Sequence, residues 1–195
     1  MTATGAYSGG WYAVADAFIA MRSGVGAALV RPWAARRLPP GAAILDIGCG
    51  SGVPIAAALA EDGFTIWDAD AAPRMIAAFR RRLPFTPAAC EPAQASDLFG
   101  RRFVGVIAVG ALFLLPPADQ LALLGHVAGA LASGGHFLFS ALRVRAAWAD
   151  SLTGRASVSL GVDAYAARLA DAGPCLPGSA RDEGDNDHHE ATRVV

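Results

Sequence analysis

Residues 43–55, AILDIGCGSGVPI, decide the fold of this 195-residue chain. The stretch opens on an apolar run that contains Asp46, turns through three glycines and reaches Pro54, after which alanines dominate. This order predicts a buried strand, a tight loop and the start of a helix. A glycine loop allows the backbone to lie close to a ligand, and the helix start offers N–H groups to it. The stretch therefore predicts a nucleotide or nucleoside site.

Strand-like apolar runs alternate with helical patterns along the rest of the chain. Strands are predicted at 43–47, at 64–70, in a short run ending near Cys90, at 103–109 and at 136–141. Helices are predicted at 53–61, 73–82, 117–132 and 161–171, and residues 143–159 are predicted to be less regular. The alternation predicts an α/β fold with a parallel sheet and helices on both faces. Residues 178–195 are predicted to form two final strands joined by an acidic turn at 182–187.

The length predicts a single domain preceded by a helical segment. Helical spacing begins at Trp11, and the turn Pro39-Pro40-Gly41 separates it from the first strand. Residues 1–40 are accordingly predicted to be an N-terminal helical lid, and residues 41–195 the ligand-binding domain. Ordinary packing of the helices on the sheet is the alternative to a lid role.

The composition of the chain disfavours several classes of binding partner. The net charge of −1 offers no basic footprint for nucleic acid or an anionic membrane. The longest apolar run, 103–115, is interrupted by glycines and is shorter than the roughly 18 residues that a membrane span needs. Three cysteines without metal-ligand spacing, and the lack of a basic leader, predict reduced thiols in the cytoplasm. His188 and His189 are adjacent and point to opposite faces of a strand, so no metal site is predicted.

The spacing of the glycines separates two classes of ligand. Gly48, Gly50 and Gly52 follow a Gly-x-Gly-x-Gly pattern, whereas dinucleotide-binding proteins use Gly-x-Gly-x-x-Gly. Asp70 stands 22 residues after Gly48, at the predicted end of the second strand, where a carboxylate can accept both hydrogens of a ribose diol. Asp68, two positions earlier on the same face of that strand, is the competing acid.

These residues resemble the class I S-adenosylmethionine-dependent methyltransferases. ILDIGCGSG at 44–52 is similar to the family's first motif, and DAAPRM at 70–75 is similar to its acid-x-Ser-Pro-x-Met motif, with Ala72 in place of serine. GALASGGHFLFS at 129–140 resembles the segment in which a Gly-Gly turn precedes strand five. The resemblance implies a Rossmann-like, mostly parallel seven-stranded sheet with a C-terminal antiparallel strand. It also implies S-adenosylmethionine as cofactor and S-adenosylhomocysteine as product.

The sequence also resembles a smaller branch of this family, and it differs from the family pattern at some positions. Four segments resemble those of a bacterial branch of small methyltransferases: FVGVIAVGALFLLPP, WADSLTG, SVSLG and DEGDN. Asp68 stands where the family commonly has glycine, and Val104 stands where it commonly has aspartate. No Asn-Pro-Pro-aromatic sequence follows strand four, which disfavours methylation of nucleic acid bases.

Cofactor contacts are implied residue by residue. Asp46 would organise the glycine loop, Asp70 would hold the ribose, and Arg22 or the Tyr12 hydroxyl would meet the cofactor's carboxylate. Gln94 would meet adenine, with Glu91 and Asp97 as alternatives. The full set of implied cofactor-binding residues is Asp46, Gly48, Cys49, Gly50, Asp70, Gln94, Gly110, Ala111, Tyr12 and Arg22.

The acceptor side is less specified. Gly110 and Ala111 would border the methyl-transfer site, and Leu112 or Phe113 would form a wall. Trp148, Asp150 and Tyr165 are further substrate-side candidates, for which packing roles are the alternative. No catalytic residue is assigned, because a sulfonium is already an excellent leaving group and the protein's work is alignment and exclusion of water.

The leading functional hypothesis is a methyltransferase for a small-molecule acceptor. The apolar residues 113–115 favour an organic acceptor of modest polarity. A non-catalytic S-adenosylmethionine-binding module and an NAD-dependent oxidoreductase are the alternatives, and the second is disfavoured by the glycine spacing. The methylated atom (O, N, S or C) and the choice between monomer and homodimer stay open.

Overall fold

A computed structural model describes residues 10–194, apart from the side chain of Tyr12. The helices in this part are α1 (Trp11–Met21), α2 (Ala27–Arg37), α3 (Ile55–Glu61), α4 (Pro73–Arg82), α5 (Pro117–Ala130) and α6 (Val162–Asp171). The strands are β1 (Ala43–Ile47), β2 (Thr65–Ala69), β3 (Ala88–Ala89), β4 (Phe103–Ala108), β5 (Leu131–Ser140), β6 (Arg145–Ala149), β7 (Ala156–Leu160), β8 (Pro174–Arg181) and β9 (Asp187–Arg193). None of the described helices is long and apolar enough to cross a membrane.

Seven strands form one sheet in the order β3-β2-β1-β4-β5-β9-β8. β1 pairs in parallel with both β2 and β4, and β9 runs antiparallel to β5 and β8. The predicted mostly parallel seven-stranded sheet with a C-terminal antiparallel strand is confirmed. Because the strand order reverses between β1 and β4, the loops after their carboxyl ends open a crevice, where such sheets bind ligands.

Two apolar layers cover the two faces of the sheet. Successive strand residues point to opposite faces, so Ile44 packs with α2, α3 and α4, while Leu45 packs with α5 and α6. Trp33 and Phe79 anchor the first layer, and Tyr165 belongs to the second. The prediction of helices on both faces is confirmed, and this packing fixes the ends of β1, β2 and β4 beside one another.

The junction between α5 and β5 differs from the sequence prediction. The helix was expected to run to residue 132 and the strand to begin at His136, but α5 ends at Ala130 and Leu131 already pairs with Phe103. The register then shifts before Gly105 pairs with His136. Gly135 fits this irregular segment because a Cβ there would lie 2.9 Å from the carbonyl oxygen of Ala132. The Gly-Gly pair therefore lies within the strand and does not stop the helix.

Residues 143–159 were expected to be irregular, but most of them form an ordered hairpin. β6 and β7 pair with each other as a separate antiparallel sheet. Strand β6 does not alternate polar and apolar residues, and the alternation in β7 covers only five residues, so the sequence signal was too weak to predict the pair. The C-terminal pair of strands was predicted, although β8 begins at Pro174, four residues before the predicted start at 178.

Candidate active site

The glycine loop leaves β1 in a conformation that suits glycine. Gly48 has φ +73°, and its N–H donates to the carbonyl oxygen of Ala69 at 2.8 Å, which ties the loop to β2. A Cβ on Gly48 would lie only 2.5 Å from the Cβ of Ala111. The loop after β1 and the loop after β4 therefore approach each other more closely than any larger residue at position 48 permits.

Asp70 links the glycine loop to the start of α4. Its Oδ2 accepts a hydrogen bond from the Gly50 N–H at 3.0 Å, and its Oδ1 accepts one from the Ala72 N–H at 2.7 Å. Burial raises the pKa of Asp70, against the lowering effect of these two hydrogen bonds. Each carboxylate oxygen has a second lone pair. The carboxylate is thus fixed in place and still able to accept hydrogen bonds from a diol.

Two more acids lie behind the loop. Asp46 on β1 stands opposite Asp68 on β2 in the parallel register, and both side chains are buried. Burial, with repulsion from Asp70, raises the pKa of Asp46 to about 7, while Arg22 opposes the shift. Burial and the neighbouring Asp46 likewise raise the pKa of Asp68, and burial raises that of the Cys49 thiol. The floor of the site therefore holds acids that resist ionisation until a positive group comes near.

A cavity of about 1150 Å³ extends from the glycine loop to the β6–β7 hairpin. At one end lie the cofactor candidates Asp46, Gly48, Cys49, Gly50 and Asp70. At the other end lie a mostly apolar wall after β4 and the residues of the hairpin. The lining residues at that end include the apolar Phe113, Leu114, Leu115, Pro116, Pro117, Leu152 and Val158 and the polar Asp150, Ser151, Thr153, Arg155 and Ser157.

The N-terminal segment roofs this cavity. Trp11 and Phe18 line it, with their rings in edge-to-face contact at 5.0 Å, and α1 packs on Ala72 and Met75 at the start of α4. Gly10 lies against the hairpin loop, since a Cβ built on it would be 3.1 Å from Nε of Arg155. Helix α1 thus bridges two walls of the cavity.

Arg22, just after α1, lines the cavity as well. Its guanidinium lies 5.7 Å from the centroid of the Phe18 ring and makes no hydrogen bond or ion pair within the described residues. Burial lowers its pKa, while the charges of Asp46 and Asp182 raise it. A partly buried cation that lacks an ion-pair partner can receive a carboxylate. The companion prediction for the Tyr12 hydroxyl falls on a side chain outside the described residues.

The three candidates for the adenine edge are separated by the structure. Gln94 and Glu91 both line the cavity. The amide of Gln94 donates weakly to Asp119 at 3.4 Å, and Glu91 accepts from the Ser96 hydroxyl. Asp97 faces a different surface cavity, together with Arg101 and His126. Because it does not line the cavity at the glycine loop, Asp97 is no longer a candidate for the adenine contact. Gln94 remains the candidate for this contact, with Glu91 as the alternative.

Gly110, Ala111 and Phe113 line the cavity beyond β4. The N–H of Gly110 donates to the Ser140 hydroxyl at 2.7 Å, which holds this loop against β5. Leu112 was one of two expected wall residues, but it is fully buried and points into the core. Phe113 is the residue that forms the wall.

The other substrate-side candidates have three different positions. Asp150 lines the cavity, but its Oδ1 builds the hairpin loop by accepting from the N–H groups of Leu152 and Thr153 and from the Thr153 hydroxyl. Trp148 lies behind the wall, with its ring 5.4 Å from that of Phe113.

Tyr165 does not line the cavity. It is fully buried, and its hydroxyl donates to Gln120 Oε1 at 2.7 Å and accepts from the Leu160 N–H at 2.8 Å. Its aromatic ring and these bonds hold α6 against α5 and β7, so the expectation of a substrate contact is replaced by a structural role.

Several cavity residues escaped the sequence analysis. Met75, Asp119, Thr153, Arg155 and Ser157 line the cavity. The position of Asp119 in the first turn of the helix after β4 was a usable signal. The hairpin residues gave none, because their strands were not predicted.

The comparisons with known proteins agree with this geometry. Residues 44–135 match the model of a family described as a methyltransferase domain. This segment, 92 of the 195 residues, is thus similar to a methyltransferase domain. The matched range runs from β1 to the Gly-Gly pair in β5 and contains the glycine loop, Asp70 and Gln94. No curated protein matches the chain.

Solved structures of methyltransferases share the fold. CcbJ from Streptomyces caelestis has a TM-score of 0.75 at 16% identity, with 97% of this chain and 98% of that chain covered. A 1,6-didemethyltoxoflavin-N1-methyltransferase from Burkholderia thailandensis has a TM-score of 0.71 at 20% identity, with 98% and 87% covered. The glycopeptide N-methyltransferase MtfA, complexed with sinefungin, has a TM-score of 0.70 at 18% identity, with 89% and 88% covered.

The residues around the glycine loop fit S-adenosylmethionine. The glycine at position 48 leaves space that a Cβ would fill, the Asp70 carboxylate is held in position to accept a diol, and Arg22 stands ready for a carboxylate. Asp46 and its buried acidic neighbours suit a positively charged group.

Proposed function

We propose that this protein transfers the methyl group of S-adenosylmethionine to a small, largely apolar organic molecule. One observation carries the proposal: the cavity at the glycine loop continues without a break to the apolar wall at Phe113 and the hairpin. Cavities of this order hold small ligands, and this one has room for two of them. The neighbours named above include enzymes for a glycopeptide and for 1,6-didemethyltoxoflavin.

The cofactor residues divide the work. Asp70 accepts the ribose hydroxyls, Arg22 pairs with the carboxylate, and Gln94 meets the adenine edge. Gly48, Cys49 and Gly50 place backbone against the methionine part, and Asp46 supports the loop from below. Gly110 and Ala111 border the transfer site. Helix α1 and Arg22 act as a lid, since they close one side of the cavity, while α2 packs on the sheet.

Methyl transfer then depends on alignment. When bound, S-adenosylmethionine supplies an electrophilic methyl group on a sulfonium. The protein holds the acceptor's nucleophile in line, about 3 Å from that methyl, and excludes water by closing α1 on the hairpin loop. Within the described part of the chain, the cavity is lined by no histidine, lysine or tyrosine side chain. We infer that the acceptor reacts through an atom that carries a lone pair without prior proton removal, or that a carboxylate such as Asp119 takes the proton.

We further propose that the enzyme works in the cytoplasm as a monomer or homodimer. All three cysteines are unpaired, as in a reducing compartment. Fractionation of cells and light scattering of the purified protein test these two points.

The proposed function is tested by turnover. Purified protein is incubated with methyl-labelled S-adenosylmethionine and a library of small aromatic and heteroaromatic compounds. Label is expected in at least one compound, with equimolar S-adenosylhomocysteine, and no label in the Asp70→Ala control. A folded protein that binds the cofactor but labels no compound contradicts the proposal in favour of a non-catalytic binding module.

A further inference from the structure

The SVSLG segment contains a buried hydroxyl without a partner. Ser157 on β7 is 1% exposed, and its Oγ has no hydrogen-bond partner. Among the described residues that line the cavity, it is the only one with such a side-chain atom. Buried hydroxyls are normally satisfied, so an unsatisfied one beside a cavity points to a ligand.

The position of Ser157 places it at the acceptor end. It stands directly opposite Trp148 in the β6–β7 register, and cross-strand partners project from the same face of a sheet. The Trp148 ring contacts Phe113, the wall of the cavity beyond β4. Ser157 therefore lies on the face of the hairpin that contacts the wall at Phe113.

A second serine on the same strand shows what a structural role looks like. Ser159 is also fully buried and shares the face of Ser157, but its hydroxyl donates to the carbonyl oxygen of Leu142 at 3.1 Å. It also lies within 3.5 Å of the Tyr165 hydroxyl, and it does not line the cavity. Only Ser157 lacks a structural reason for being polar.

The surroundings of Ser157 describe the molecule it would bind. The nearby lining residues Phe113, Leu114, Leu115 and Val158 are apolar, so they favour a flat hydrophobic body. Asp150 is already engaged by its own loop through Oδ1. Ser151, Thr153 and Arg155 of the hairpin also line the cavity, but among the described lining residues Ser157 alone has a buried side-chain atom without a partner, and this hydroxyl recognises one hydrogen-bonding group on such a body.

We propose that the Ser157 hydroxyl binds the methyl acceptor, and that the acceptor is an apolar ring compound with one hydrogen-bonding oxygen or nitrogen. This inference rests on the proposed function and deepens it. Ser157 is an acceptor-binding residue that orients the ring towards the transfer site. Removal of its hydroxyl weakens acceptor binding and leaves the fold unharmed, because the hydroxyl contributes no internal hydrogen bond.

Three probes test the proposal: 1-naphthol, 1-naphthylamine and naphthalene, the last of which has no hydrogen-bonding group. Their affinities are measured by calorimetry on protein loaded with S-adenosylhomocysteine. We expect wild type to bind the two polar probes at least fivefold more tightly than naphthalene. Ser157→Ala should bind all three alike, with unchanged affinity for S-adenosylhomocysteine and an equal or higher Tm.

Ser159→Ala is the matched control. It should keep the preference for the polar probes and unfold at a lower temperature. The inference is overturned if Ser157→Ala keeps the preference, or if wild type loaded with S-adenosylhomocysteine shows no preference or binds none of the probes. Failure of wild type to bind S-adenosylhomocysteine at all overturns the proposed function itself, which separates the two failures.

Discussion

The Asp70 carboxylate is bonded to the backbone of Gly50, with 3.0 Å between Oδ2 and the Gly50 nitrogen. The other oxygen, Oδ1, is bonded to the N–H of Ala72. One side chain thus joins the glycine loop to the start of α4, and we propose that its oxygens also accept the ribose hydroxyls. The shape of the cofactor end of the cavity depends on this acid.

The Asp70→Asn substitution keeps the size of the side chain but removes its charge and changes its hydrogen bonds. An amide offers one acceptor oxygen and turns its NH₂ towards one of the two backbone N–H donors, so the site loses a hydrogen bond and the position of the loop. We expect the Kd for S-adenosylmethionine to rise at least tenfold, measured by calorimetry. Asp97→Asn, outside the cavity, should leave the Kd unchanged. Equal affinities of the two variants would contradict the assignment.

Gly48→Ala should be costly because two effects add. The residue has φ +73°, and its new Cβ would lie 2.5 Å from Ala111. Gly63→Ala is a matched control, since Gly63 has φ +86° and open space around it. The clash should lower the free energy of unfolding of Gly48→Ala by about 1–3 kcal/mol beyond the control. Urea denaturation measures both, and equal costs would show that the two loops are not in close contact.

The stability of the protein without cofactor should depend on pH through Asp46. Burial and repulsion from Asp70 raise its pKa to about 7, although the charge of Arg22 acts to lower it. Between pH 4 and 7 the unfolded chain has lost this proton and the folded protein has kept it, so stability falls as pH rises. The Asp46→Asn substitution removes the contribution of Asp46 to this pH dependence.

The free energies of unfolding of wild type and Asp46→Asn, compared at pH 5 and pH 8, check this. The variant should gain on wild type between pH 5 and pH 8, by an amount of up to about 3 kcal/mol. A difference that stays constant with pH would mean that Asp46 titrates normally.

Arg22→Ala should weaken only ligands that carry the carboxylate. The guanidinium lines the cavity and has no ion-pair partner among the described residues, so a ligand carboxylate would be its salt bridge. Calorimetry should show at least a tenfold loss of affinity for S-adenosylmethionine and little change for decarboxylated S-adenosylmethionine. Parallel losses for both ligands would assign Arg22 a general role in closing α1.

Tyr165→Phe should destabilise the fold and spare the site. The change removes the bonds to Gln120 and to the Leu160 backbone, and leaves buried groups unsatisfied at a cost of about 1–3 kcal/mol. Thermal unfolding should show the loss, while the Kd for S-adenosylmethionine stays within twofold of wild type. Lower turnover at unchanged stability would return Tyr165 to the substrate side.

The sequence signals for the glycine-loop end of the cavity are local. Glycine spacing, an acid at the end of β2 and alternating elements all act within short segments, so the places of Gly48 and Asp70 followed from them. The two-sided core also follows from strands that are apolar on both faces.

The acceptor end could not be predicted because tertiary contacts create it. Strand β6 lacks polar–apolar alternation, and that of β7 is only five residues long. The pairing of the two strands and their contact with the wall at Phe113 make Ser157 a cavity residue. Tyr165 misled for the same reason, since its buried partner Gln120 is 45 residues away.

Calorimetric titration of the purified protein with S-adenosylmethionine tests the central claim most directly, with NAD as the control ligand and Asp70→Ala as the control variant. We predict micromolar binding of S-adenosylmethionine and S-adenosylhomocysteine, no binding of NAD, and loss of binding in Asp70→Ala. A folded wild-type protein that binds neither sulfur compound, or that binds NAD instead, would contradict it.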